Sequence, residues 1–330
     1  MQSNVTPEGG ENSASSTEAG ASERPAAASP RPWLTWILGA ICIVVFAGIK
    51  LSGADASWAV LSRWGAPPAN QIWHGAYWAL VTSVFVHLAL WHLAFNLYWL
   101  WILGRTLETA IGPWRWLAFF LVSAVVSSAA ELAASGETGI GLSGVIYAVF
   151  GFMWMTRIAY PAFARVVTSQ TVNLFLAWLV LCVFLTMTHI WAVANAAHVS
   201  GLVFGAVVGR AFVVRPRSLW PKAAAVTLTA AAILVLFWCP WRFEWVATKA
   251  YDAQTRGDYE SALDWYHRCE RFPEHSSWVS QNVALVYMSM GDADRYLATL
   301  ERLRRLDPEK AREVERRAEE PSRNVTPRPD

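Results

Sequence analysis

The sequence is short of charge: Asp, Glu, Lys and Arg make up 16% of its 330 residues, against about 25% in soluble globular proteins. The deficit is concentrated in the middle of the chain. From Trp33 to Trp241 the acidic residues are Asp55, Glu108, Glu131 and Glu137, and no Asp, Glu, Lys or Arg occurs from Val166 to Gly209. A soluble domain of that length could not cover its surface with so few charges, so a single compact soluble domain is excluded. An apolar content of 55% excludes intrinsic disorder for this middle part. Cysteine is scarce too. Cys42, Cys182, Cys239 and Cys269 are scattered, and no disulfide framework or zinc pattern is present. There is no HExxH motif, and no metal or organic cofactor is implied. The net charge of +2 gives no reason to expect a nucleic-acid partner.

Apolar sequence is abundant, in segments near the ~20 residues that span a bilayer. Five of them cover 33–51, 84–104, 114–133, 140–157 and 222–240. The uncharged run from Val166 is too long for one crossing and predicts two, about 170–189 and 192–211. Twenty tryptophans suit long membrane boundaries, where indole rings settle. The connection 52–82 is too long for a turn and carries Trp58, Trp64, Trp73 and Trp78, which predicts a partly immersed interfacial loop. Positive residues mark the cytoplasmic side. Arg105, Arg115, Arg157, Arg165, Arg210, Arg215, Arg217 and Lys222 fall on one set of connections, and only Lys50 and Arg63 on the other. This predicts a cytoplasmic N-terminus and a C-terminus on the far side.

The flanks differ. Residues 1–30 are Ser, Ala, Gly, Glu and Pro with almost no large apolar side chains; they are expected to be disordered, as is the tail 321–330. Residues 242–320 are soluble in character and hold a repeat. Gly257-Asp258 and Gly291-Asp292 are 34 residues apart, with Ala250, Ala262 and Tyr266 around the first and Ala284 and Tyr296 around the second. That is the period of tetratricopeptide repeats and predicts two helical hairpins, with a charged capping helix opening at Pro308. The predicted fold is all-α and polytopic: a six-helix core in 31–213, a seventh transmembrane helix in 214–241, and a C-terminal domain of helical-hairpin repeats.

Polar side chains at membrane depth are costly, so each raises a functional question. His92 and Asn96 share a helix face one turn apart. Ser143, Tyr147 and Gly151 share another, and His198, Gly201, Gly205 and Gly209 line a third. Glycine stripes let membrane helices pack backbone to backbone. A stripe on the sixth segment against the fourth would bring Ser143 and His198 together at matching depth. A serine beside a histidine is a nucleophile beside a base. No carboxylate is expected in the outer half of any span, which leaves a dyad. Tyr147 is placed to stack on His198. His92, Asn96 and the free N–H groups at the start of the fourth helix can stabilise an oxyanion. His87 reads as a structural polar contact, and Glu108 as a tie between helix ends.

Gly141-Leu142-Ser143-Gly144 with Tyr147 resembles the GxSG signature of rhomboid intramembrane serine proteases. His92 to Asn96 resembles the family's HxxxN, Ala197-His198 to Gly201 its AHxxG, and Gly104 to Glu108 its GxxLE. The resemblance covers roughly residues 33–212. It implies Ser143 as nucleophile, His198 as general base and then acid, and His92 and Asn96 on the oxyanion, with Gly141 and Tyr147 in support. It also implies transmembrane protein substrates. A bacterial inner-membrane location is expected, the charge pattern putting the C-terminal repeats on the periplasmic side, and hairpins of the tetratricopeptide type are expected to bind a protein partner. One departure is Ala79 after Trp78, where the family often has arginine in the lateral loop 52–82. The alternative is a catalytically inactive rhomboid-like scaffold.

Overall fold

The computed structural model describes residues 31–53, 57–213 and 218–319. The expected disordered segments 1–30 and 321–330 lie outside the described residues. Within them, every regular element is a helix. The principal ones are α1 (Trp33–Leu51), α2 (Leu90–Ile111), α3 (Pro113–Ser135), α4 (Ser143–Thr156), α5 (Ser169–Met187), α6 (Asn195–Val213) and α7 (Trp220–Val235). The C-terminal part holds α8 (Phe243–Thr255), α9 (Tyr259–Cys269), α10 (Ser276–Met290), α11 (Ala293–Leu306) and α12 (Pro308–Glu319). The chain is an all-α, polytopic membrane protein.

Four of these helices, α1, α3, α5 and α6, are long and apolar enough to cross a bilayer on their own. At 1.5 Å per residue, 19 residues span about 28 Å. The expectation of seven full-length spans is corrected at three places. The second segment does not run from residue 84 to 104. The chain bends by 104° between the short helices at Ala79–Phe85 and α2, and Val86 and Ala89 take extended backbone. Apolar composition cannot report such a bend. Non-helical backbone is tolerated there because it is enclosed by protein: Val86 and His87 are fully buried. Within α2 a π turn at Leu100–Gly104 carries the helix on to Ile111. The fourth segment is also shorter than expected, 14 residues or about 21 Å. Gly139 and Gly141 hold φ of +70° and +100° before it, values that L side chains avoid, so the helix cannot begin before Leu142. The seventh ends at Val235, short of the expected 240.

α4 is the centre of the bundle. Eleven of its residues are buried, as expected of a helix apolar on every side. α6 lies along it, and the approach is too close for any side chain between them. A Cβ built on Gly201 would stand 2.1 Å from the Gly144 carbonyl oxygen, and one on Gly205 1.9 Å from that of Ala148. From the other helix, a Cβ on Gly151 would stand 2.4 Å from the Leu202 oxygen. The glycine stripe inferred from spacing is therefore the contact surface. At the opposite end of the bundle Glu108 accepts from the Leu34 and Thr35 amides at 3.0 and 2.8 Å and from Thr35 Oγ1 at 2.7 Å. It satisfies the free donors at the start of α1 and ties helix ends together.

The connection 52–82 is not an irregular loop. It contains short helices at Trp58–Arg63, Ala69–Trp73 and Ala79–Thr82. The Trp64 ring fills the space over Gly48 of α1, where a Cβ would lie 2.0 Å away. Thr82 Oγ1 donates to the Gly65 carbonyl at 2.6 Å.

In the C-terminal part, α8 with α9 and α10 with α11 form two helical hairpins. The same turn closes both. Gly257 and Gly291 take φ of +77° and +73°, and the following aspartates cap the next helix, Asp258 accepting from the Ser261 amide at 3.2 Å and Asp292 from that of Arg295 at 3.1 Å. Ala250, Ala262, Tyr266 and Ala284 are fully buried.

Gly205→Val is expected to push α4 and α6 apart, with an overpacking cost of about 1–3 kcal/mol or more. A clear fall in the unfolding temperature of detergent-solubilised protein checks it, with the half-exposed Val203→Ala as a control that barely moves.

Candidate active site

Ser143 is the first residue of α4, preceded by the loop that the positive-φ glycines shape. Its own N–H and those just after it have no partner within the helix. His198 lies one turn inside α6. The glycine-lined packing brings the two side chains into hydrogen-bond contact, His198 Nε2 to Ser143 Oγ at 2.7 Å. The imidazole is 3% exposed. Among the described residues its Nδ1 has no hydrogen-bond partner, so no third group among them orients the ring through that atom. The ring is held by stacking instead. Tyr147, one turn along α4 from Ser143, lies with its ring centroid 4.8 Å from that of His198 and inclined by 31°. The Tyr147 hydroxyl donates to the Phe175 carbonyl of α5 at 3.0 Å, which fixes the ring from behind.

The other residues singled out by spacing gather around this pair. His92 packs against Gly141, where a Cβ would lie 2.5 Å from His92 Cε1. Gly141 is thus needed twice, for its φ and for the space the imidazole takes. His87 is fully buried, its Nδ1 3.1 Å from the Phe85 carbonyl and its ring 4.9 Å from that of His92, in keeping with a structural contact. Asn96 is buried, but its amide donates to the His92 carbonyl at 2.9 Å, one turn back in the same helix. One N–H of the expected oxyanion donor is therefore spent on the backbone. The second N–H of the same amide is what it has left to offer.

Ser143, His198, His92, Asn96 and Tyr147 line one cavity of about 830 Å³. The rest of its wall is mostly apolar: Phe95, Trp99, Ile146, Phe175 and Trp178 among others. It lies among α2, α4, α5 and α6. α5 is the most loosely held of the long helices, with 17% of its span buried. Its contacts with α2 are aromatic, Phe95 on Trp178 at 5.3 Å and Trp99 on Phe175 at 4.7 Å. Trp91 and Trp191 meet at 4.4 Å between the start of α2 and the α5–α6 connection.

The expectation that no carboxylate sits in the outer half of a span is corrected by Glu131. It lies one turn inside the C-terminal end of α3, is 7% exposed, and accepts from the Ala197 amide at 3.0 Å. It thereby caps α6 next to His198 without touching the imidazole. Its place near the end of a hydrophobic segment was visible in the sequence. The helix start that it serves, 66 residues on, was not. Glu131→Gln retains an acceptor and is expected to keep wild-type stability, whereas Glu131→Leu leaves the Ala197 N–H unpaired at a cost of about 1–3 kcal/mol. Thermal unfolding of the two variants side by side tests this.

The Rhomboid domain family matches residues 74–215. The chain is 34% identical over 172 residues to the rhomboid proteases GlpG of Yersinia pseudotuberculosis serotype I (strain IP32953), Serratia proteamaculans (strain 568) and Yersinia pestis (strain Pestoides F). Each match covers 52% of this chain and 60% of the relative, so the chain spans about three fifths of the length of these curated relatives. The motifs around His92, Ser143 and His198 all fall within the segment 74–215, which is similar to the Rhomboid domain family.

Proposed function

We propose that this chain is an intramembrane serine endopeptidase that cleaves transmembrane proteins in or beside their membrane-spanning helix. One observation carries the function: the 2.7 Å contact between Ser143 Oγ and His198 Nε2 on the wall of a largely apolar cavity inside the bundle. Ser143 Oγ attacks the scissile carbonyl carbon while its proton passes to His198 Nε2. The carbonyl oxygen becomes an oxyanion, stabilised by the Ser143 N–H, His92 and the remaining N–H of Asn96. His198 then returns the proton to the leaving amine, and the C–N bond breaks to give an acyl-enzyme and a free amine. Water attacks the ester with its proton going to His198, which reprotonates Ser143 as the acid product leaves. Tyr147 holds the imidazole angle throughout.

The loose attachment of α5 supports entry of a substrate helix between α2 and α5. A helical peptide bond is hydrogen-bonded and shielded, so the substrate must unwind at the point of attack. Small, helix-weakening residues are the expected recognition chemistry.

The membrane arrangement proposed is seven crossings, the short α4 being completed on its serine side by the partly buried loop 136–142. The N-terminus is cytoplasmic, and the C-terminal hairpins lie on the serine's side, outside an inner membrane. This sidedness is supported by the bonds of Trp241 and Arg242 to the carbonyls of Ala133, Ala134 and Ser135, at the end of α3 that leads into the Ser143 loop. Protease added outside sealed spheroplasts is expected to cut within 242–320; protection of that segment would reverse the orientation. The hairpins are proposed to be tetratricopeptide-like and to take a substrate or partner protein, supported by the 34-residue period and by the two identical turns.

Ser143→Ala and His198→Ala are each expected to lower cleavage of a reconstituted transmembrane substrate by about 10³-fold or more, with little further loss in the double variant because the pair acts as one unit. Fluorophosphonate labelling should vanish with Ser143→Ala. Cleavage by Ser143→Ala at the wild-type rate would overturn the assignment, and an unlabelled, inactive wild-type protein would leave the inert scaffold.

A further inference from the structure

The stretch that follows α7 does more than lead into the hairpins. A helix leaves its last carbonyls without intrahelical donors, and here the donors for the end of α3 come from about 110 residues further on. Trp241 Nε1 donates to the Ala133 oxygen at 2.9 Å, and the Arg242 guanidinium to those of Ala134 and Ser135 at 3.0 and 2.7 Å. Arg242 is itself aligned by Glu244 at 3.1 Å. The three carbonyls immediately precede Gly136, where the chain leaves the helix at φ +86° to form the loop that ends at Ser143.

The same C-terminal stretch grips the other loop beside the site. His74 Nε2 lies 2.5 Å from Asp252 Oδ1 of α8. Trp73 Nε1 donates to the Val235 carbonyl at 3.3 Å, and the Tyr77 ring faces that of Phe237 at 5.9 Å. Inside the bundle the two loops touch each other: the Gly141 amide donates to the Ser83 carbonyl at 3.4 Å. So loop 136–142 meets the residue that directly follows the lateral segment 64–82, two residues from Ser143, and residues 235–252 hold 133–135 and 73–77, away from that meeting point.

We propose that residues 235–252 are a brace that positions the site: Arg242 and Asp252 fix the two loops from which Ser143 is presented, and the hairpins are thereby coupled to the catalytic bundle. Arg242 is a positioning residue; it touches neither Ser143 nor His198 among the contacts described. Only the activity arm of the test depends on the protease function.

The test uses the full-length protein in detergent or nanodiscs, with Arg242→Ala, Arg242→Lys, Trp241→Phe and Asp252→Asn, and the exposed Arg256→Ala as control. Hydrogen–deuterium exchange is read in residues 136–142 and 64–82, and the rate of fluorophosphonate labelling is read at Ser143. Loss of a charge-assisted pair of bonds is expected to speed exchange of 136–142 by about tenfold in Arg242→Ala, while 201–209 in α6 stays protected. Arg242→Lys, which can serve one carbonyl, should recover part of the effect. Asp252→Asn should act on 64–82 instead. Trp241→Phe keeps the ring and loses one donor, so it reports even if Arg242→Ala does not fold. Labelling should slow as exchange of 136–142 quickens. Exchange and labelling unchanged from wild type in Arg242→Ala, or, should that variant not fold, in both Trp241→Phe and Arg242→Lys, or faster exchange throughout the bundle, would overturn the brace. Faster exchange confined to the two loops in a protein whose wild type takes no label would uphold the brace and fail the protease function instead.

Discussion

The backbone-to-backbone packing of α4 on α6 is the constraint on which the rest of this structure depends. Lipid tails are as apolar as leucine, so helices in a bilayer gain little from hiding apolar side chains and associate through close packing instead. Gly201 and Gly205 give that closeness by omission, since a single methyl at either would overlap a carbonyl oxygen of α4. The same closeness sets Ser143 and His198 at 2.7 Å. No polar network is needed to pull the two together; their separation follows from how far two backbones can approach. Tyr147 adds an angle to that distance, resting on the imidazole while its hydroxyl is held by α5.

Most of this centre was legible in the sequence because helical spacing carries it. Ser143 with Tyr147, His92 with Asn96, and His198 with its glycines are each one-turn relations inside a single segment, and a repeat of 3.6 residues resolves them. The hairpin turns were legible for a similar reason: Gly-Asp fixes both the φ and the cap within two residues. What stayed hidden depends on partners far apart in the chain or on geometry that composition does not encode. The bend at residues 86–89 lies in an unbroken apolar run. The early start expected for α4 ignored Gly139 and Gly141, whose φ values stop the helix short. Asn96 was read as a donor to substrate, yet a side-chain amide in a helix can also turn back to the carbonyl one turn earlier, and here it does.

Two carboxylates inside the bundle show how few charges such a protein can carry. Glu108 and Glu131 sit at opposite ends of the core, and each meets the amide donors that begin another helix, α1 and α6. A helix start presents partial positive charge as well as free N–H groups, so a buried carboxylate there is matched without a cation. This is why Glu131 can stand next in space to the His198 segment and still take no direct part in a triad.

The shortness of α4 has a consequence for the proposed chemistry. Its first residue is level with the fourth of α6, about 4.5 Å inside that neighbour's end. The Ser143 hydroxyl therefore stands at one set height along α6, and under the proposed function a chain offered to it would be measured rather than merely recognised. An added turn would lift that height by about 5.4 Å and shift the cut to a different bond of the same substrate. Under the proposed function the helix would act as a ruler, and its length would be part of the specificity.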